Sequence, residues 1–326
     1  ASDSASGSDI DYHRRTYRRS MGRYAVGIDI GRTNLRAALV RSNGELVASI
    51  KEGTDALGGP QGVERQVARA FERLARGHDV RAVGVGIAGQ CDTARGVVLH
   101  GPNLFWPDVP FRDRLSDVLG VPVVLRNDVV MATIGEWRHG AGRDCHDIVV
   151  LFSGTGIGGG AIVNGTLLEG ASGCGGHFGH VSVQLDGPPC GCGRRGCVEA
   201  YASGTGLASR AKNDPSLPSS SLSLVGEIDG RAISRAVEEG DAMAVRLRDE
   251  AALALSSAIG SVINCLEPQR VVLGGSVMDM PGLYEMCAAG ALEHCLPSHR
   301  RALIVRSALG EMAGAIGAAS LALDPI

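Results

Sequence analysis

The sequence predicts an α/β fold in two domains, and three observations carry that prediction. Apolar, strand-like runs alternate with stretches of helical periodicity. A strand, a glycine-rich turn and a second strand recur in both halves, a pattern that permits a duplicated core without proving one from residue identity. At 326 residues the chain is long enough for two domains of ordinary size. With 44% hydrophobic and 21% charged residues the composition is globular, which excludes a largely disordered chain. No apolar stretch reaches the length that spans a bilayer, so no membrane partner is expected. A net charge of −3 supplies no basic field to attract nucleic acid.

Taken in order, residues 24–30 are an apolar run typical of a buried strand. Residues 34–40 form a second strand, 42–45 a turn and 46–50 a third strand. Val63, Val67, Ala70, Phe71 and Leu74 keep helical spacing and predict an amphipathic helix over 62–75. A strand over 82–87 runs into Ala88-Gly89-Gln90. Another covers 121–125, with Pro122 tolerable near its start, and a helix follows over 129–137. The second half opens with strands at 148–152, 159–163 and 166–168, the last two joined by the tight turn Asn164-Gly165. Residues 213–221 read as a loop and 240–265 as largely helical. A strand over 270–273 ends at Gly274-Gly275, and a helix of small residues closes the chain over 312–323.

The ends and the cysteines bear on setting. Residues 1–9 are rich in Ser, Asp and Gly and are expected to be disordered. The basic run 13–19 lacks a following apolar segment, so a secretory leader is not expected and a cytoplasmic location is. The nine cysteines are odd in number and four lie between Cys174 and Cys197, which suits metal in a reducing compartment better than a disulfide framework. His180, Cys190, Cys192 and Cys197 supply one imidazole and three thiolates on a glycine-rich loop, a donor set suited to a closed structural Zn²⁺ site. The alternative is clustered free thiols. A nucleic-acid zinc finger is disfavoured, because the histidine precedes the cysteines and no basic helix is attached.

Three glycine turns follow strands. Gly154, Thr155 and Gly156 would offer backbone N–H groups and a hydroxyl to anionic oxygens. No Gly-Lys-Ser/Thr follows, and a strand stands where a dinucleotide site needs a helix. Gly31, Arg32 and Thr33 form a second turn, with Asp29 positioned near a Mg²⁺ through water; Gly274 and Gly275 form the third. Any one could be purely structural, but three at strand ends favour a bound nucleotide. Asn127 and Asp128 stand where a strand gives way to a helix; the plain reading is a helix cap.

The order Asp29-Ile-Gly-Arg-Thr, Gly86-Ile-Ala-Gly-Gln-Cys-Asp92, Gly101-Pro-Asn-Leu-Phe-Trp106, Asn127-Asp128, Gly154-Thr-Gly-Ile-Gly-Gly159, and Gly179-His180 before Cys190-x-Cys-Gly-x-x-Gly-Cys197-x-Glu199 resembles the ROK family of sugar kinases and repressors, in the actin/hexokinase-like superfamily. The resemblance implies a two-domain actin-like (ribonuclease H-like) fold with an inter-domain cleft for the sugar and a zinc-bound loop. It implies an extension over 1–22, a smaller α/β domain over 23–126 joined by the helix 312–323, and a larger α/β domain over 127–311. ATP with Mg²⁺ would phosphorylate a hexose, usually at its 6-hydroxyl, and Asp128 matches the catalytic base. Gly89, Asn103, Asn127, His180 and Glu199 match sugar-contacting positions, His180 also binding zinc. A homodimer or homotetramer is expected. Only 22 residues precede Arg23, fewer than a winged helix-turn-helix needs, so a repressor is disfavoured.

Two positions depart from the family pattern. His177 stands where a sugar-contacting Glu is usual, replacing a pure acceptor with a group that also donates; an aminohexose such as kanosamine is a candidate substrate beside glucose. Arg32 replaces a turn glycine. It would add a phosphate contact, or obstruct the turn if that position needs positive φ. The alternative to a kinase is therefore a sugar-binding protein with weak or no transfer.

Overall fold

The computed structural model describes residues 24–101, 106–171, 173 and 175–326. It is a mixed α/β fold whose described residues divide into two compact units. One runs to Arg138 and takes in Met312–Ile326; the other is His139–Glu311.

The first unit is built on β1 (Tyr24–Ile30), β2 (Asn34–Arg41), β3 (Leu46–Gly53), β4 (Val80–Ile87) and β8 (Val123–Asn127), in the order β3-β2-β1-β4-β8. β1 pairs antiparallel with β2 and parallel with β4. Both central strands are buried, as their unbroken apolar runs require. A small sheet of β5 (Gln90–Asp92), β6 (Val97–Gly101) and β7 (Trp106–Val109) extends from the end of β4. Helix α1 (Gly59–Ala75) lays Val63, Val67, Ala70 and Leu74 into the core. Helix α2 (Phe111–Leu119) precedes β8, and α3 (Asp128–His139) follows it.

The other face of this sheet carries the C-terminal helix Ala313–Leu323. Its residues are small and nearly all buried, so it packs on every side rather than along one stripe. A Cβ on Gly27 would lie 1.8 Å from the Ala315 carbonyl, and one on Gly84 1.9 Å from that of Ala318. The helix therefore rests backbone to backbone on β1 and β4. A Cβ on Gly317 would fall 1.8 Å from the Met131 carbonyl, which locks α3 to the same helix. That packing keeps α3 in the first unit, which runs to Arg138.

The second unit repeats the plan. Its sheet orders β9 (Ile148–Ser153), β10 (Ile157–Val163), β11 (Thr166–Leu167), β12 (Arg270–Gly274) and β13 (Leu303–Arg306) as β11-β10-β9-β12-β13. Here too the first strand pairs antiparallel with the second and parallel with the fourth. The sheets thus share one topology: a three-strand meander followed by two parallel additions. The 31–33 and 154–156 turns occupy equivalent places, each joining first strand to second. Helices α4 (Val198–Ala202), α5 (Gly204–Lys212), α6 (Gly230–Glu238), α7 (Ala242–Leu266) and α8 (Leu283–Glu293) complete the unit, and buried α7 anchors its core. Among the described residues no helix is long and apolar enough to cross a membrane.

Candidate functional site

In the first unit, Asn127 ends β8 and Asp128 opens α3. The Asn127 side chain is the cap: its Oδ1 accepts from the amides of Val129 (2.9 Å) and Val130 (3.3 Å). Its Nδ2 donates to the Gly89 carbonyl at 3.1 Å, which ties the 88–90 turn to the helix start. Asp128 is thereby released from capping, although its Oδ1 still accepts from the Val129 amide at 2.9 Å. Burial pushes its carboxyl up to about 6, against the Val129 hydrogen bond. Asn103 lies outside the described residues.

Asp29 is the second carboxylate of this region. It faces Arg36 across the β1–β2 ladder, and Arg36 Nη1 lies 3.6 Å from its Oδ2. A Cβ on Gly314 would sit 3.0 Å from its Cγ. Burial first, and the charge of Asp128 second, push Asp29 up to about 7, with Arg36 opposing. Two desolvated carboxyls, one of them raised further by the charge of the other, suit a site completed by a cation. Reading the sequence missed Arg36, although a hairpin turning at Gly31–Thr33 already sets it opposite Asp29.

These shifts fix a sign for stability. A carboxyl raised in the folded state holds its proton longer there than in the unfolded chain, so stability falls as pH rises through the window from about 4 to about 7. Asp29→Asn is expected to raise Tm at pH 8 and leave it nearly unchanged at pH 4, as measured by calorimetry. An equal shift at both pH values would exclude an ionised, desolvated Asp29.

The turn after Asp29 is closed by the Gly31 amide on the Asn34 carbonyl (3.0 Å), and Thr54 Oγ1 donates to the Gly31 carbonyl (2.7 Å). Arg32 and Thr33 are exposed. Arg32 is not among the non-glycine residues with positive φ, so the turn makes no demand for glycine there. Of the two possibilities read from the sequence, obstruction by positive φ is removed.

The second unit brings together the remaining candidates. The ligand atoms of His180, Cys190, Cys192 and Cys197 lie within 4.8 Å of one another. Cys192 Sγ is 3.7 Å from Cys197 Sγ, and Cys190 Sγ is 3.8 Å from His180 Nδ1. A tetrahedral zinc with bonds of about 2.3 Å to sulfur has edges of about 3.8 Å, so three thiols and one imidazole nitrogen fit the ion. Nδ1 faces the sulfurs, leaving Nε2 for another partner. The loop folds back at Gly196, where φ is +70° and a Cβ would meet the Gln184 carbonyl at 1.5 Å. Cys174 lies outside the described residues.

Cys197 is the residue before α4, which carries Glu199 one turn from the cluster. Glu199 Oε1 is 3.9 Å from His180 Nδ1 and 3.6 Å from Cys190 Sγ. Its Oε2 accepts from the Ile157 amide at 2.8 Å, a partner the sequence did not suggest. His177 is exposed, its ring 6.2 Å from that of His180. Partial desolvation lowers its imidazole pKa, helped by His180 and opposed by Glu199.

The 153–157 turn is held by the start of α5. The Gly204 amide donates to the Gly154 carbonyl (2.8 Å), and Thr205 donates to that of Thr155 through both its amide (3.1 Å) and its hydroxyl (2.8 Å). Thr155 itself is exposed. Gly274 and Gly275 lie beside this turn. Gly275 has φ of +91°, and a Cβ there would lie 2.2 Å from the Ser153 carbonyl. Its glycine thus has a packing reason of its own, independent of any ligand.

Residues 25–325 match the model of the ROK family. The glucokinase of Thermotoga maritima is 34% identical over 92% of this chain and 98% of its own length. The N-acetylmannosamine kinase of Citrobacter koseri is 36% identical over 77% of this chain and 83% of its own. The crystal structure of a ROK family glucokinase from Streptomyces griseus in complex with glucose and AMPPNP superposes with a TM-score of 0.80 at 34% identity, covering 92% of this chain and 99% of that one.

Proposed function

The chain belongs to the ROK family and is a sugar kinase, and we propose that it transfers the γ-phosphoryl group of ATP to the 6-hydroxyl of a hexose or aminohexose with Asp128 as general base. The observation that carries this reading is the Asn127–Asp128 pair. Asn127 does the capping, and Asp128 is left as a desolvated carboxyl near 6, a value suited to accepting a proton at neutral pH. The sugar hydroxyl would give its proton to Asp128 as its oxygen attacks the γ-phosphorus and the bond to the leaving ADP oxygen breaks. A bound Mg²⁺ would neutralise phosphate charge, with Asp29 near it through water.

In this reading the 31–33, 154–156 and 274–275 turns contribute backbone amides to the nucleotide. Gly89, Asn103, Asn127, His177, His180 and Glu199 serve the sugar. Asn127 retains one Nδ2 hydrogen beyond its bond to Gly89, and His180 retains Nε2 beyond its face toward the thiols. The cluster is a closed structural zinc site: four protein donors leave no position for water, so it shapes the loop and takes no chemical step.

The test is ATP consumption across glucose, mannose, glucosamine, N-acetylated hexosamines and kanosamine. Phosphorylation of at least one at its 6-hydroxyl, identified by NMR of the product, is expected. Sugar binding without turnover on any of them would support the silent sugar-binding alternative.

His177 bears on which sugar is used. Imidazole in place of a carboxylate changes the hydroxyl pattern read, and a buried hydroxyl without its acceptor costs roughly 1–3 kcal/mol. His177→Glu is expected to raise kcat/KM for glucose about tenfold or more relative to the aminohexose the wild type uses best. The ratio is taken within each enzyme, so changes in overall activity cancel. An unchanged ratio would mean that residue 177 does not read the sugar.

A further inference from the structure

Gly156 is a glycine for a reason that the phosphate reading does not supply. It carries no left-handed φ, yet a Cβ there would stand 2.7 Å from Oε2 of Glu199. The space beside residue 156 is filled by a carboxylate 43 residues along the chain. That carboxylate oxygen accepts the Ile157 amide at 2.8 Å, where the turn ends and β10 begins. The second oxygen faces the His180 and Cys190 donors. Glu199 therefore joins the metal loop to the glycine turn.

The join is reinforced along the chain. Glu199 stands two residues past Cys197. At the end of α4, the Ser153 hydroxyl donates to the Ala202 carbonyl (2.6 Å) in the buried interior. Ser203 caps α5 by accepting the Gly206 amide, and the first residues of α5 bond the Gly154 and Thr155 carbonyls. The backbone groups of the turn so engaged are the Gly154 and Thr155 carbonyls and the Ile157 amide. The Gly154 amide closes the turn on the Gly156 carbonyl (2.9 Å), and the amides of Thr155 and Gly156 take part in none of these bonds.

We propose that Glu199 is a positioning residue for the nucleotide: it fixes the 153–157 turn from the Cys/His loop, so that nucleotide affinity depends on this carboxylate even when no sugar is present. This goes beyond the sugar contact that the family resemblance implies for Glu199, and it rests on the reading of this turn as a nucleotide-phosphate site. An acceptor is what the Ile157 amide needs; the negative charge is secondary. Gln offers an acceptor of the same reach, whereas Ala offers none.

The experiment titrates Mg²⁺–AMPPNP by calorimetry into wild type, Glu199→Gln, Glu199→Ala and Gly156→Ala, with no sugar, and follows amide hydrogen exchange at Ile157. Zinc content is measured in each variant, so that a lost metal is not mistaken for a lost tether. Glu199→Ala is expected to bind AMPPNP about five- to tenfold more weakly, the weight of one ordinary hydrogen bond, with faster exchange at Ile157. Glu199→Gln is expected to keep both near wild type. Gly156→Ala, which crowds the carboxylate from the other side, is expected to resemble Glu199→Ala. Unchanged AMPPNP affinity in Glu199→Ala, or equal weakening in Gln and Ala, overturns the proposal while leaving the kinase reading intact. A wild-type chain that binds no AMPPNP overturns both.

Discussion

Asp128→Asn is expected to lower kcat by about 10²–10⁴-fold while sugar affinity stays within a few-fold of wild type. The amide keeps the shape and can still accept the Val129 hydrogen bond at its oxygen, but it cannot take a proton. The fold should survive, because the cap of α3 is the Asn127 side chain and not Asp128. A second readout is independent of turnover. The wild-type carboxyl, raised to about 6, costs stability as pH climbs from about 4 to about 6, and the neutral amide does not. The variant should therefore melt higher than wild type at pH 8 and alike at pH 4. For the wild type, kcat/KM should rise with pH through an apparent value near 6, since the base must be ionised; Asp29 lies close enough that this value belongs to the pair. A variant with near-normal kcat would reduce Asp128 to an acidic residue in the first turn of a helix.

Disrupting the Cys/His cluster has the other large expected effect. Elemental analysis of the wild type should find one zinc per chain, and Cys192→Ser should lose it. Tm is expected to drop by about 10 °C or more, as the loop from His180 to Cys197 loses the ion that closes it. Sugar affinity should fall at least about tenfold, because His180 and Glu199 are both set by that loop. Cys192 is the exposed member of the four, so its loss leaves the buried positions of Cys190 and Cys197 intact and isolates the metal effect from a packing effect. A metal-free wild type with full activity would sink the zinc assignment.

Elements whose pattern is local were legible in the sequence. The first three strands, the long helix α7 and the strand before Gly274 fall within a few residues of their expected places, because an apolar run or a 3.6-residue period is a property of neighbouring residues. The Cys/His cluster was legible for the same reason, its donors lying within one short segment. Less was visible where the local signal is weak. Helix α2 follows Pro110 and buries only Phe111 and Leu115. Strand β13 is an edge strand with partly exposed residues, and β5 to β7 are too short to show a period.

The sequence by itself determined the α/β alternation, the two turn-bearing halves and the donor set for a metal, each encoded by residues close together in the chain. The tertiary structure decided what those pieces touch. It put α3 with the first unit through contacts between Met131 and Gly317, far apart in the chain. It set Asp29 near Asp128, where burial raises both carboxyls and the charge of Asp128 raises Asp29 further. It also gave Glu199 the Ile157 amide as a partner, and Gly275 the Ser153 carbonyl as a neighbour. Periodicity tells which face of an element seeks burial, but not which surface will bury it. That choice is made by backbone approach and by the desolvation of specific polar groups, and both exist only once distant segments have met.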